Sequence, residues 1–127
     1  MFLLDTHLVL WTAFEPSRLS RKAADLIGDR AQDMAFSLAT IWEVAIKTSL
    51  ERPGFNVDPA ELRNGLLGQG FRQVDIRAEH IAVVARLPAI HRDPFDRLMV
   101  AQALVEGLTL LTCDKTLARY GKMVRKV

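Results

Sequence analysis

The sequence predicts an α/β fold, a single domain built on a mainly parallel sheet. Three observations predict it. Phe2-Leu3-Leu4 and Leu108 to Cys113 are apolar runs without alternation, which suits strands buried on both faces. The segments between strand-like runs open on helix-cap signals and carry apolar residues at helical spacing. Strands separated by helices need crossover connections, and those set neighbouring strands parallel.

The first strand, Phe2 to Leu4, stops at Asp5. Leu8 to Phe14 reads as a short helix, with Leu10 and Phe14 four apart and Trp11 beside them. Glu15-Pro16-Ser17 breaks it. Ser20 then caps a second helix, with Ala23, Ala24 and Ile27 on one face and Gly28 near its end. Met34 to Ser37 is a second strand. Thr40 to Leu50 is a strong helix whose apolar residues Ile41, Trp42, Ala45, Ile46 and Leu50 cover more than one face, so it should be well buried. Arg52-Pro53-Gly54 ends it.

Asp58-Pro59-Ala60-Glu61 is a helix start with a cap, a proline at the first position and an acid at the third. That helix runs to about Gly68 or Gly70, and Phe71 to Ile76 is a third strand. Arg77 to Leu87 is amphipathic, with Ala78, Ile81, Ala82 and Ala85 in register, which leaves His80 on the surface. Asp93-Pro94 opens a helix with Phe95, Leu98, Met99 and Ala103 on one face and Gly107 just past its end. Leu108 to Cys113 is a central strand, Asp114 to Tyr120 a short helix, and Met123 to Val127 an edge strand.

The chain has 127 residues, enough for one domain with a core and hardly enough for two. Residues 1–127 therefore read as a single unit, without repeat, linker or low-complexity tract. No stretch approaches the ~18 apolar residues of a membrane span. No basic region followed by a long apolar segment marks a signal peptide. Cys113 is the single cysteine, which excludes disulfide frameworks and cysteine-rich zinc sites and suits a cytoplasmic setting.

The net charge is +2, unevenly placed. No acid follows Asp114, whereas Lys115, Arg119, Lys122, Arg125 and Lys126 give +5, leaving −3 for residues 1–114. A basic tail beside an acidic site suits a polyanion such as nucleic acid, although a solvated surface has the same composition.

Asp5 and Asp114 each follow an apolar strand directly. In a parallel sheet both lie at the edge where ligands bind. Glu43 falls in the first turn of the helix after the second strand, and Asp96 in the first turn of the helix before the fourth. Four carboxylates brought together would raise one another's pKa unless a cation compensated them, and a hard divalent ion, Mg²⁺ or Mn²⁺, is the natural partner. Each acid also has a plain structural reading. Asp5 and Asp114 can cap helices, Thr40 to Glu43 can form a capping box, and Asp96 can be the third-position acid of a helix capped by Asp93. Capping and metal binding do not exclude each other. Thr6, Ser37, Thr40 and Thr112 can hold carboxylates or bond local backbone. His7 and His91 are near enough in sequence to approach the cluster.

Leu3-Leu4-Asp5-Thr6-His7, Ser37 to Glu43, Asp93 to Ala103 and Leu110 to Asp114 together resemble the PIN domain, and more closely the VapC-type toxins of bacterial type II toxin–antitoxin systems. The resemblance runs in order over nearly the whole chain. It implies a central parallel sheet sandwiched by helices. It implies that Asp5, Glu43, Asp96 and Asp114 bind Mg²⁺ or Mn²⁺ for phosphodiester cleavage, that the substrate is RNA, that a cognate antitoxin inhibits the protein, and that it forms homodimers. In-line attack by an activated water would leave 5′-phosphate and 3′-hydroxyl ends. Lys115, Arg119 and Arg97 are candidates for contacts to the RNA backbone.

Three other readings compete. A haloacid-dehalogenase-type phosphatase also opens on a strand and an Asp, but expects a second Asp where His7 stands. A metal-free ribonuclease would use His7 and His91 and yield cyclic phosphates. A non-catalytic binding module would use its acids as caps alone. Leu10, Trp11, Phe14 and Trp42 are expected in the core; any exposed together would suit an antitoxin helix or a dimer contact.

Overall fold

The computed structural model describes residues 1–50 and 55–127, so the helix stop expected at Arg52-Pro53-Gly54 lies outside the described residues. Five parallel strands form one sheet: β1 (Phe2–Leu4), β2 (Met34–Ser37), β3 (Arg72–Val74), β4 (Thr109–Thr112) and β5 (Val124–Lys126). Their spatial order is β3-β2-β1-β4-β5. The chain thus builds outward from β1 through β2 to β3, then crosses back to lay β4 on the other side of β1. That reversal makes the gap between β1 and β4 a topological switch point, where the loops leaving the two strands diverge and open a crevice. Asp5 and Asp114 stand at its two sides.

The helices are α1 (Thr6–Phe14), α2 (Arg21–Gly28), α3 (Leu38–Ser49), α4 (Pro59–Gly68), α5 (Ala78–Val84), α6 (Pro94–Glu106) and α7 (Lys115–Ala118), with one 3₁₀ turn at Pro16–Arg18. They cover both faces of the sheet. Leu4, Phe36 and Leu111 pack with Leu8, Val9, Val44, Leu62 and Leu66 on one face. Leu3, Ala35 and Leu110 pack with Leu98, Met99, Val100 and Ala103 on the other. The alternation of Leu3 and Leu4 between these clusters is the two-residue period of a strand, and burial of both explains the unbroken apolar run.

Most caps form as expected. Ser20, Asp58 and Asp93 accept from backbone N–H groups of their first turns. Gly107 takes the left-handed conformation (φ 68°) that ends α6.

Three expectations about helices need correction. The helix after β2, expected to be well buried, leaves Trp42 and Leu50 exposed (54% and 61%), so its apolar residues do not all face the core. The third helix begins at Leu38, with Ser37 as its cap (Ala39 N–H to Ser37 Oγ, 2.9 Å), so no Thr40–Glu43 capping box exists. Ser37 wins because the helix starts as soon as β2 ends, which moves Thr40 and Glu43 inside it. The helix after β3 is shorter than expected and turned: Ile81 is 60% exposed while His80 is fully buried. His80 Nδ1 accepts from Arg77 N–H (3.0 Å) and Nε2 meets Glu106 Oε1 (2.9 Å), so its polar atoms are satisfied inside. Small alanines at the other positions made the apolar face of this helix ambiguous.

Candidate active site

Asp5 is almost completely buried at the end of β1. Its Oδ1 accepts from Leu8 N–H (2.9 Å), capping α1, and its Oδ2 accepts from the Thr112 hydroxyl (2.6 Å) at the end of β4. The Thr112 hydroxyl in turn accepts from Asp114 N–H (3.0 Å). One threonine therefore ties the two acidic strand ends together across the switch point. In-register pairing of Leu4 with Leu111 makes this possible, since it sets Asp5 beside Thr112.

Glu43 reaches the same edge from α3. Its Oε1 accepts from Thr6 Oγ1 (2.7 Å), and Lys47 Nζ lies 3.1 Å from its Oε2. Thr6 Oγ1 is also 3.0 Å from Thr40 Oγ1. The one Thr6 proton goes to Glu43, so Thr40 is the donor in that second bond. Thr6 and Thr112 thus hold carboxylates, and Thr40 supports Thr6. Ser37 does not take part: its hydroxyl caps α3 and donates to Gln102 Oε1 (2.6 Å).

Asp114 caps α7 through Oδ1 (Thr116 N–H, 2.8 Å) and meets His91 Nε2 through Oδ2 (3.0 Å). Asp96 lies in the first turn of α6, whose cap is Asp93. His91 Nε2 is 3.6 Å from Asp96 Oδ2, too long for a hydrogen bond. Among the described residues the Asp96 carboxylate accepts no hydrogen bond at all. One ligand atom each from His91, Asp96 and Asp114 lie within 4.8 Å of one another.

The electrostatics show that the four acids share a neighbourhood. Burial first, then the charges of Asp93, Asp5 and Glu43, push the Asp96 carboxyl up to about 7, with His91 opposing them. Burial raises Asp5, against the hydrogen bonds from Thr112 and Leu8, and Asp114 adds to the rise. For Asp114 burial acts upward too, but the bonds from Thr116 and His91 outweigh it and leave the group below its ordinary value. Three carboxylates, Asp93, Asp5 and Glu43, thus act on a fourth, with Lys47 paired to Glu43 and His91 beside Asp96 as the opposing groups.

The other expected contributors differ in placement. His7 is exposed and tilts over Trp11 at 5.9 Å between ring centroids, and its charge opposes the rise at Asp5. Arg97 is corrected as a contact for RNA: its guanidinium donates to the carbonyls of Pro88 and Val84 and to the Tyr120 hydroxyl (3.0, 3.0 and 3.1 Å). Those bonds fasten the turn before α6 and leave little of Arg97 for a substrate. Lys115, which follows Asp114 in the chain, and Arg119 are both exposed. Lys47, which no motif singled out, pairs with Glu43; its i, i+4 spacing from Glu43 was the available signal.

Leu10 and Trp11 pack against the core, whereas Phe14 and Trp42 are each 54% exposed. Trp42 meets Phe95 edge-on (5.0 Å) next to the acids. Phe14 instead lines a cavity of about 230 Å³ between α1 and α4, with Val57, Leu62 and Leu66. No helix among the described residues is long and apolar enough to cross a membrane.

Residues 2–123 match the PIN domain family. The chain is 33% identical over 119 residues to ribonuclease VapC22 of Mycobacterium tuberculosis, covering 93% of this chain and 90% of that protein. Its fold is similar to that of VapBC2 from Rickettsia felis bound to a DNA fragment from its promoter (TM-score 0.71, 12% identity, 99% of this chain and 98% of that one). It is also similar to a toxin–antitoxin complex from Klebsiella pneumoniae (TM-score 0.66, 20% identity, 98% and 96%).

Proposed function

The chain belongs to the PIN domain family, and on that footing we propose that it is a metal-dependent endoribonuclease, the toxin of a toxin–antitoxin pair, with residues 1–127 forming one nuclease domain. The site would be Asp5, Glu43, Asp96 and Asp114, holding Mg²⁺ or Mn²⁺. One observation carries the reading. Asp96 is driven to about 7 by burial and by its acidic neighbours, yet its carboxylate receives no hydrogen bond among the described residues. A group so placed is short of positive charge.

The donor set fits a hard divalent cation. All four acids offer oxygen, and the hydrogen bonds on Asp5, Glu43 and Asp114 each use one lone pair of an oxygen that has another. A bound Mg²⁺ or Mn²⁺ would supply Lewis acidity toward the phosphate oxygens and toward an attacking water. The protein's own contribution is placement. Thr112 and Leu8 N–H hold Asp5, Thr6 and Lys47 hold Glu43, and Thr116 N–H holds Asp114. Such preorganisation removes the cost of gathering like charges during the reaction. Lys115 and Arg119, both exposed, are the candidates for contacts to the RNA backbone.

The partner proposed is a cognate antitoxin. VapBC2 and the Klebsiella complex support it, and the cavity at Phe14, lined by Leu62 and Leu66 and also by Asp58, Glu61 and Gln69, suits an amphipathic helix laid between α1 and α4. The lone Cys113 fits a cytoplasmic setting, and the second copy of a homodimer would have Trp42 and Phe95 within its reach.

The deciding measurement is sequencing of the RNA ends left by purified protein with Mn²⁺, beside Asp96→Asn. Metal-dependent cleavage with 5′-phosphate ends, lost in the variant, is expected. Cleavage that persists in EDTA with cyclic-phosphate ends would defeat the reading.

A further inference from the structure

His91 lies in the turn between α5 and α6, outside regular secondary structure, and its two ring nitrogens have different partners. Asp93 N–H donates to Nδ1 (3.1 Å), so Nδ1 carries the lone pair. The ring proton of the neutral imidazole is then on Nε2, which faces Asp114 Oδ2 at 3.0 Å. The turn is fastened from behind. His91 N–H donates to the Tyr120 hydroxyl (3.0 Å), and Arg97 donates to that same hydroxyl and to the carbonyl of Pro88. Two backbone N–H groups, a tyrosine and an arginine thus fix one imidazole.

We infer that His91 is a positioning residue, whose Nε2–H holds the Asp114 carboxylate turned toward Asp96. This rests on the metal-site reading above. A histidine that ligates a cation must present a lone pair to it, and here the lone pair is taken by Asp93 N–H. Asp114 holds one backbone bond, from Thr116 N–H to Oδ1, and leaves Oδ2 to His91. Its side chain is 39% exposed, against 20% for Asp96, and it begins a helix of four residues. Asp5 and Glu43 are locked by buried threonines; Asp114 has His91. Partners of this kind set the orientation of a ligating carboxylate, and losing one costs on the order of 10–100-fold in metal affinity or activity.

Three measurements test it. In the metal-free protein, nitrogen chemical shifts of the ring should show a proton on Nε2 and none on Nδ1; an Nδ1–H tautomer overturns the inference. Mn²⁺ titrations and cleavage kinetics follow on His91→Ala and His91→Gln, whose amide N–H can stand where Nε2–H stood. His91→Ala should weaken Mn²⁺ binding or kcat about 10–100-fold, with KM for RNA and melting temperature little changed, and His91→Gln should recover most of the loss. Wild-type behaviour in His91→Ala overturns it. Equal loss in both variants overturns it too, whether His91 is then a ligand or merely a packing group. A wild-type protein that binds no Mn²⁺ would defeat the metal-site reading itself, and the tautomer would still report whether His91 holds Asp114.

Discussion

The same histidine device occurs twice in this chain, with opposite surroundings. His80 and His91 each accept a backbone N–H at Nδ1 and meet a carboxylate with Nε2. Glu106, the partner of His80, also pairs with Arg77 (3.2 Å). The His80 bond and the Arg77 charge hold its carboxyl below the ordinary range. Asp114, the partner of His91, looks instead toward more acids. Around His80 a cation, Arg77, pairs with both Glu106 and Glu79, and every buried polar side-chain atom among the described residues has a partner, so the arrangement joins α5 to α6. Around His91 charges accumulate. The carboxyls of Glu106 and Asp114 both lie below their ordinary values, so the two regions differ in the acid next to the pair: Asp96 beside His91 is pushed up to about 7.

Removing one acid tests the contrast most strongly. Asp96→Asn should cut cleavage by roughly a thousandfold, the order seen when one charge-stabilising group is lost from a site. The same change should make the metal-free protein more stable above about pH 7, because it relieves repulsion. A variant both inactive and less stable would mean that Asp96 is chiefly structural.

The pH dependence of stability has a definite sign. The Asp96 carboxyl ionises at about 7 in the folded chain and at the ordinary 3.8 when unfolded. Between those values the folded state holds a proton that the unfolded state releases. Metal-free stability should therefore fall as pH rises through that window and level off above it, by up to about 4 kcal/mol. Raised Asp5 acts in the same direction. Denaturant melts with and without Mn²⁺ check this, since the cation should restore the loss. A flat profile without metal would remove the repulsion from the argument.

At the other histidine the expected effects are reversed. His80→Ala opens a cavity and orphans Glu106 and Arg77 N–H, costing about 2–4 kcal/mol of stability. Cleavage per folded molecule should not change; urea melts and active-fraction kinetics would show the split. Gln102→Leu should behave alike at about 1–3 kcal/mol, since Gln102 bridges the Ser37 hydroxyl and the Asp75 carbonyl. The smallest effect belongs to Lys115→Ala and Arg119→Ala. Each should weaken binding of single-stranded RNA a few-fold and reduce the salt slope by about 0.7. Unchanged slopes would place the RNA elsewhere.

Much of the fold was readable because the signals were local. The runs Phe2–Leu4 and Leu108–Cys113 are strands on any account, and Asp58-Pro59 and Asp93-Pro94 start helices through chemistry contained in a few residues. The errors came where two local signals competed. Ser37 and Thr40 could each begin α3, and the preceding strand decided for Ser37. The alanine-rich α5 offered no dominant face, so packing on α6 chose to bury His80 and expose Ile81. Arg97 looked like a phosphate ligand because charge can be counted along a sequence, whereas the carbonyls that occupy it cannot.

Residue order alone was enough to set the strands and most helix caps and to single out four candidate acids, because those depend on a residue's covalent neighbours. Their convergence was not contained in it. Strand order β3-β2-β1-β4-β5 places Thr112 beside Asp5, 107 positions away, and the crossing of α3 and α6 toward the same edge brings Glu43 and Asp96 to it. Repulsion among carboxylates depends on distance through a medium poor in water, and the folded chain alone supplies both.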